Sequence, residues 1–228
     1  MKNLQLLYLC FLVLSPLANG QQPANPEDIT IRVQALSVGN SEVEGLLWRQ
    51  GREWKTLRAP MEFLPSAESY TGPNPITIYR EAPPAEGEEE PGYIPVAQVQ
   101  IPANTDEVVI LFQEREQRVA GTAVPLRTQS FPPGSYMVFN RSGQDVVMSL
   151  DETPANLASG AVQIIRPANR ERRPVPVVLR YQQDRENRSL VTTTWFYHPE
   201  RRRFVFLLPE EDRIQVRSIN WFPGNRNE

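Results

Sequence analysis

One cysteine, one histidine and two lysines make this chain poor in the side chains that most often carry chemistry. The cysteine, Cys10, and one lysine, Lys2, both fall in the opening "MKNLQLLYLCFLVLSPLANG", which reads as a secretory leader. Lys2 supplies the positive start and Leu4 to Leu14 the apolar run, which Pro16 breaks short of a membrane span. Ala18 and Gly20 put small residues where a leader peptidase needs them, so cleavage is expected before Gln21. Cys10 sits inside the apolar run behind Leu7-Tyr8-Leu9, with no small residue beside it, which argues against a lipid anchor. The mature chain then has no cysteine. That excludes a disulfide framework, thiol catalysis and thiolate metal sites together. An exported chain of this kind must be held by its hydrophobic core, for which roughly two hundred residues suffice.

A strong charge of either sign is also missing. Losing Lys2 with the leader moves the net charge from −3 to −4, which indicates neither a nucleic-acid footprint nor a basic membrane surface. Lys55 is left as the lone mature lysine, and the other cations are arginine. No window carries apolar residues at helical spacing across three turns, and no Gly-rich phosphate loop, dinucleotide fingerprint or G-x-S-x-G nucleophile elbow occurs. No cofactor is expected.

What the chain has instead is short strand-like runs between Pro, Gly and Asn clusters. "ITIRVQA" alternates strictly, with Ile29, Ile31, Val33 and Ala35 on one face. "GLLWRQ" and "EWKTLRA" flank a hairpin turn at Gln50-Gly51-Arg52, and "PITIYRE", "YIPVAQVQI", "EVVILFQ" and "RVAGTAVPL" follow. The second half offers "GSYMVFN", "QDVVMSL", "GAVQIIR", "VPVVLRYQ", "RSLVTTTWFY", "RFVFLLP" and "RIQVRSI". Short strands at this spacing predict an all-β sandwich or barrel, with prolines at strand ends and edges. "FPPGS" at residues 131–135 breaks the chain near its middle. A faint echo spans the break. Aligning Pro102 with Pro199 also aligns Val108 with Val205, Leu111 with Leu208 and Val119 with Val216.

"VVILF" and "FVFLL" are apolar on both alternating faces, so both should be covered on both sides, by the sister module or by another protein. Phe206 is expected in its module's own core and Leu207 on the outer face.

Candidate chemistry is thin. His198 lies in His198-Pro199-Glu200-Arg201, a turn sequence, and Arg201 to Arg203 are expected to solvate the hairpin tip. Histidine catalysis needs a positioned partner and a pocket, and a zinc site without cysteine would need mostly carboxylates. Neither catalytic nor metal-ligating residues are assigned. The stretch "APPAEGEEEPG", residues 82–92, lacks the aspartate pattern of a calcium loop and reads as solvated. A glycan hydrolase needs only two carboxylates, but two small sandwiches leave little material for a cleft. Trp48, Trp54, Trp195 and Trp221 could stack on sugars, although core packing is the commoner fate of such aromatics. Asn140-Arg141-Ser142 and Asn187-Arg188-Ser189 match the N-glycosylation pattern.

"PPGSYMVFNRSGQDVVMSLDETPANLASGAVQIIRP" resembles immunoglobulin-like modules of uncharacterised exported bacterial proteins. The resemblance implies a sandwich fold and an envelope location. The expectation is thus a leader over residues 1–20 and two immunoglobulin-like β-sandwich modules packed in tandem, over residues 27–125 and 126–222. The chain would be a soluble, periplasmic or extracellular, non-enzymatic protein doing structural or protein-interaction work. Its partner would be another envelope or extracellular protein, with a carbohydrate-binding module as the alternative reading.

Overall fold

The structure, a computed structural model, describes residues 28–221 apart from positions 40, 85, 88, 127, 128, 130, 184, 185 and 212. For the remaining residues from 182 to 191 only the backbone is described. The leader, Cys10, the cleavage position before Gln21 and the side chains of Asn187-Arg188-Ser189 therefore lie outside the described residues.

Among the described residues there is no helix, and so none long and apolar enough to cross a membrane. The first half contains β1 (Asp28–Ser37), β2 (Leu47–Gln50), β3 (Glu53–Thr56), β4 (Glu68–Pro73), β5 (Ile76–Ala82), β6 (Gly92–Val99), β7 (Glu107–Arg115) and β8 (Arg118–Pro125). These form two four-stranded sheets, in the orders β4-β1-β7-β8 and β3-β2-β5-β6. The second half contains β9 (Tyr136–Asn140), β10 (Val146–Leu150), β11 (Thr153–Leu157), β12 (Val162–Ile165), β13 (Arg173–Gln183), β14 (Glu186–Tyr197), β15 (Arg202–Glu210) and β16 (Arg213–Trp221). Its sheets run β12-β9-β15-β16 and β11-β10-β13-β14, the first pair of orders with eight added to every number. In both halves the first strand runs parallel to the seventh, with Val33 beside Val108 and Val138 beside Val205. The sequence echo across the chain is therefore matched by a repeated topology.

Alternation along each strand sorts residues between the layers. Ile31, Val33 and Ala35 of β1 join Trp48, Ile76, Ile78, Val108, Ile110 and Phe112 in a core between the first two sheets. Val138, Met148, Val177, Leu179, Val205 and Leu207 fill the matching core of the second half. Each echoed pair lands in equivalent places. Val108 and Val205 lie in the two inner cores, Val119 and Val216 at those same cores, and Leu111 and Leu208 together in a third.

That third core joins the halves. Leu36, Val109 and Leu111 from β1 and β7 pack with Phe139, Phe204, Phe206, Leu208 and Trp221 from β9, β15 and β16. Phe131, from the break between the halves, is wholly buried among them. The outer face of sheet β4-β1-β7-β8 thus meets the outer face of sheet β12-β9-β15-β16, and the four sheets stack as consecutive layers. Polar groups flank the contact. Trp221 Nε1 donates to Gln34 Oε1 at 3.2 Å, and Arg217 donates to the carbonyls of Ser37 and Gly39 at 3.4 and 3.0 Å.

Two expectations need correction here. Both faces of β7 and β15 are covered, but Leu207 belongs to the half's own core and Phe206 to the contact between halves. A strand that is apolar on both faces carries no internal mark of which face turns inward; the sheet order decides it. Strands β4 and β11 were also hidden in the sequence, because Gly72 and Pro73 in one and Pro154 in the other read as turn signals. Both are edge strands, where proline and glycine are tolerated.

Candidate functional site

The hairpin between β14 and β15 turns at His198, as the sequence suggests. Arg201 N donates to His198 O at 3.2 Å, and His198 Nδ1 accepts from Glu200 N at 3.3 Å. The imidazole is thus engaged with its own turn. Gly134, at φ +72°, lies against this tip and donates its N–H to Arg201 O at 2.8 Å. A Cβ there would collide with the Tyr197 hydroxyl and the Pro199 carbonyl, so the position requires glycine.

The three arginines do not simply solvate the tip. Arg202 is 2% exposed, with its guanidinium 4.4 Å from the ring centroid of Trp221 and 5.7 Å from that of Phe131. Its parity with Phe204 and Phe206 points it into the contact between the halves. Burial lowers its pKa from the usual arginine value, and the carboxylate of Glu107, across the contact, opposes that shift. Arg203 is half-buried between Tyr136, 5.4 Å away, and Trp195, 5.1 Å away, and burial lowers its pKa as well. These are packed cations on aromatic faces, and the cleft beside them holds only about 10 Å³.

The tryptophans have separate fates. Trp48 is fully buried in the first core, tilted against Tyr70 at 5.4 Å. Trp221 lies in the contact between halves, and Trp195 stacks on Tyr136 at 5.6 Å. Trp54 is the exception. It sits on β3 in register with Arg49, whose outward direction follows from the inward-facing Trp48. Tyr93 stacks on Trp54 with centroids 3.9 Å apart and planes 20° apart, while Tyr79 lies nearly perpendicular to Trp54, at 76° with centroids 5.0 Å apart. The Arg49 guanidinium is 5.9 Å from the Trp54 ring centre, and its Nε donates to Gly51 O at 3.1 Å, fixing the β2–β3 turn. Gly51 needs its φ of +62° there.

A groove of about 520 Å³ opens beside Tyr79, between β1–β4 and β2–β5. Asp28, Gln50, Thr71 and Thr77 offer it both donors and acceptors, and Tyr70 forms part of its wall. Burial, reinforced by Asp28, pushes the Tyr70 hydroxyl up to about 12, so it stays neutral and donates to Pro73 O at 2.9 Å. Tyr79 and Tyr93 escaped the sequence reading, which followed tryptophans alone. The available signal was parity, because Tyr79 alternates with the core residues Ile76 and Ile78.

Two other sequence features resolve plainly. Asn140 is fully buried, and its Nδ2 donates to the carbonyls of Gln144, Leu157 and Ala158 at 2.7, 2.8 and 3.1 Å. That amide is a structural tie and has no room for a glycan. In the 82–92 loop Glu86, Glu89 and Glu90 are exposed, and among the described residues no three metal-binding side chains gather anywhere.

No family model matches the chain, and no curated protein is similar to it.

Proposed function

We propose that the chain is an exported, non-enzymatic interaction scaffold of the cell envelope, built as two immunoglobulin-like modules locked face to face. The observation that carries this reading is the apolar contact between the halves. Its residues include four phenylalanines and a tryptophan, and a cluster of that kind leaves little freedom for one half to move against the other. Two small sandwiches fixed in this way make a rigid body with two broad outer sheets on which a partner can be held. "Immunoglobulin-like" describes the architecture only: two layers, about 100 residues, one core. The immunoglobulin order of A, B, E and D in one sheet and C, F and G in the other is not reproduced by β4-β1-β7-β8 and β3-β2-β5-β6. Export is supported by the opening residues 1–20, with Lys2 ahead of the apolar run Leu4 to Leu14 and the small residues Ala18 and Gly20. Against catalysis stands the engagement of the only histidine with its own turn.

The partner of this scaffold is another envelope or extracellular protein. The test is expression in the source organism with a photo-crosslinking residue at Val147 or Phe196, both exposed on the outer sheet β11-β10-β13-β14, or at positions on the opposite outer sheet. The expected result is a mature chain starting at Gln21 and a discrete adduct with one envelope protein. Retention in the cytoplasm with Met1 intact, or no adduct from either outer sheet, would overturn the reading.

A further inference from the structure

The outer sheet β3-β2-β5-β6 presents an aromatic surface that neither the cores nor the contact between halves uses. We propose that this surface binds a neutral carbohydrate, with a pyranose ring lying on the exposed ring of Tyr93, which Trp54 backs from the other side. The adjoining groove beside Tyr79 would hold the next sugar through Arg49, Gln50 and Thr77. The inference does not depend on export or on a rigid pair of modules; it concerns one face of the first half.

Large aromatics are normally buried, and the other three tryptophans are accounted for: Trp48 in the first half's core, Trp221 in the contact between halves and Trp195 stacked on Tyr136. Trp54, Tyr79 and Tyr93 are instead gathered on an outward face, with Tyr93 36% exposed. Because the rings are already packed on one another, a ligand would not have to order them on binding. The flat face of a pyranose carries a patch of C–H bonds, and the negative face of an aromatic ring is its natural complement. Hydroxyls around that patch require donors and acceptors at the margin, which the groove supplies.

The geometry also separates sugars from the other ligands that aromatics favour. A proline-rich peptide inserts its rings into slots between splayed aromatics. Trp54 and Tyr93 lie nearly parallel at stacking distance and leave no slot between them. Charge selects against acidic polysaccharides. Arg49 is close to the stack, but Glu53 adjoins Trp54 in sequence and Glu81 is in cross-strand register with Tyr93. Among the described residues the second half offers no counterpart: its outer sheet shows Phe196 as a single exposed ring.

The test is a printed array of neutral and acidic glycans probed with the purified mature chain, followed by titration of the best glycan by intrinsic tryptophan fluorescence. A decaproline peptide is titrated in parallel. Trp54→Ala and Tyr93→Ala should each weaken glycan binding at least about tenfold. Phe196→Ala on the opposite outer sheet should leave it unchanged. Gln50→Ala, outside the ring stack, should weaken binding without moving the melting temperature, which separates loss of the site from loss of the fold. Array signals no higher than those of a Trp54→Ala/Tyr93→Ala double variant would overturn the proposal. So would binding confined to acidic glycans, or binding of decaproline alone.

Discussion

Phe206→Ala is the substitution that most directly probes how the halves are joined. The side chain is 1% exposed, stacks on Phe139 with centroids 5.0 Å apart and lies 6.5 Å from Phe204, all within the shared core. A buried phenylalanine removes about 150–250 Å² from water, which at roughly 25 cal/mol per Å² gives about 4–6 kcal/mol as an upper figure. Measured truncations of buried phenylalanine cluster at about 3–5 kcal/mol, the range expected here. For a chain of this size that lowers the melting temperature by roughly 6–20 °C. The location of the loss matters more than its size. Phe206 belongs to the second half, but the contact it supports also covers Val109 and Leu111 of the first. If the contact couples the halves, calorimetry shows one transition that moves down as a unit. Hydrogen exchange then shows amides of β5, two layers away from Phe206, losing protection along with those of β15. Calorimetry of Leu207→Ala, in the second half's own core, is the companion measurement. Two transitions in the wild type, with β5 protection untouched by Phe206→Ala, would refute the coupling.

His198→Ala should change stability by less than about 0.5 kcal/mol, since the ring accepts its hydrogen bond from Glu200 N within an exposed turn. A loss of activity at unchanged melting temperature would show that the imidazole does chemistry. Glu114 on β7 accepts from both terminal nitrogens of Arg80 on β5, at 2.6 and 2.7 Å, tying the two sheets of the first half together. The hydrogen bonds from Arg80 hold its carboxyl below the usual glutamate value. The folded form therefore binds its proton less readily than the unfolded form, whose pKa is about 4.3. The pair contributes fully above that value, and the contribution disappears as pH falls through the folded value. In urea titrations the wild type should exceed Glu114→Gln by about 1 kcal/mol at neutral pH and by nothing in acid; an advantage that grew on acidification would contradict the assignment.

Alternation was the legible part of the fold. Ile29, Ile31, Val33 and Ala35 share a face in the sequence and pack on one core in the structure. The doubly apolar "VVILF" and "FVFLL" did announce layers on both sides. Period-2 patterning gives relative facing and no absolute direction, which is why Leu207 and Phe206 changed places. Arg202 departs from the expected solvated tip for a related reason: its charge favours the surface, but alternation with Phe204 and Phe206 puts it on the buried face. The aromatic surface was less legible still. Trp54, Tyr79 and Tyr93 come from three strands, and only the strand order β3-β2-β5-β6 brings them together.

The repeated topology has a further consequence. Two copies of one fold meeting through the same sheet face have the arrangement of a symmetric dimer, here carried on a single polypeptide. In a true homodimer every substitution appears twice, once on each side of the axis. Fusion removes that constraint and replaces bimolecular association with an effective concentration of millimolar order. The two faces here have diverged accordingly. The first half contributes aliphatic side chains, among them Leu36, Val109 and Leu111, while the second adds Phe139, Phe204, Phe206 and Trp221 to its own Met137, Leu208 and Ile219. Val109 and Phe206 occupy equivalent positions in their strands, one small and one large. Pairing like faces would set large rings against large rings on one side and small side chains against small ones on the other, whereas the contact between unlike halves sets large against small. The contact is thereby specified to join unlike halves rather than like ones.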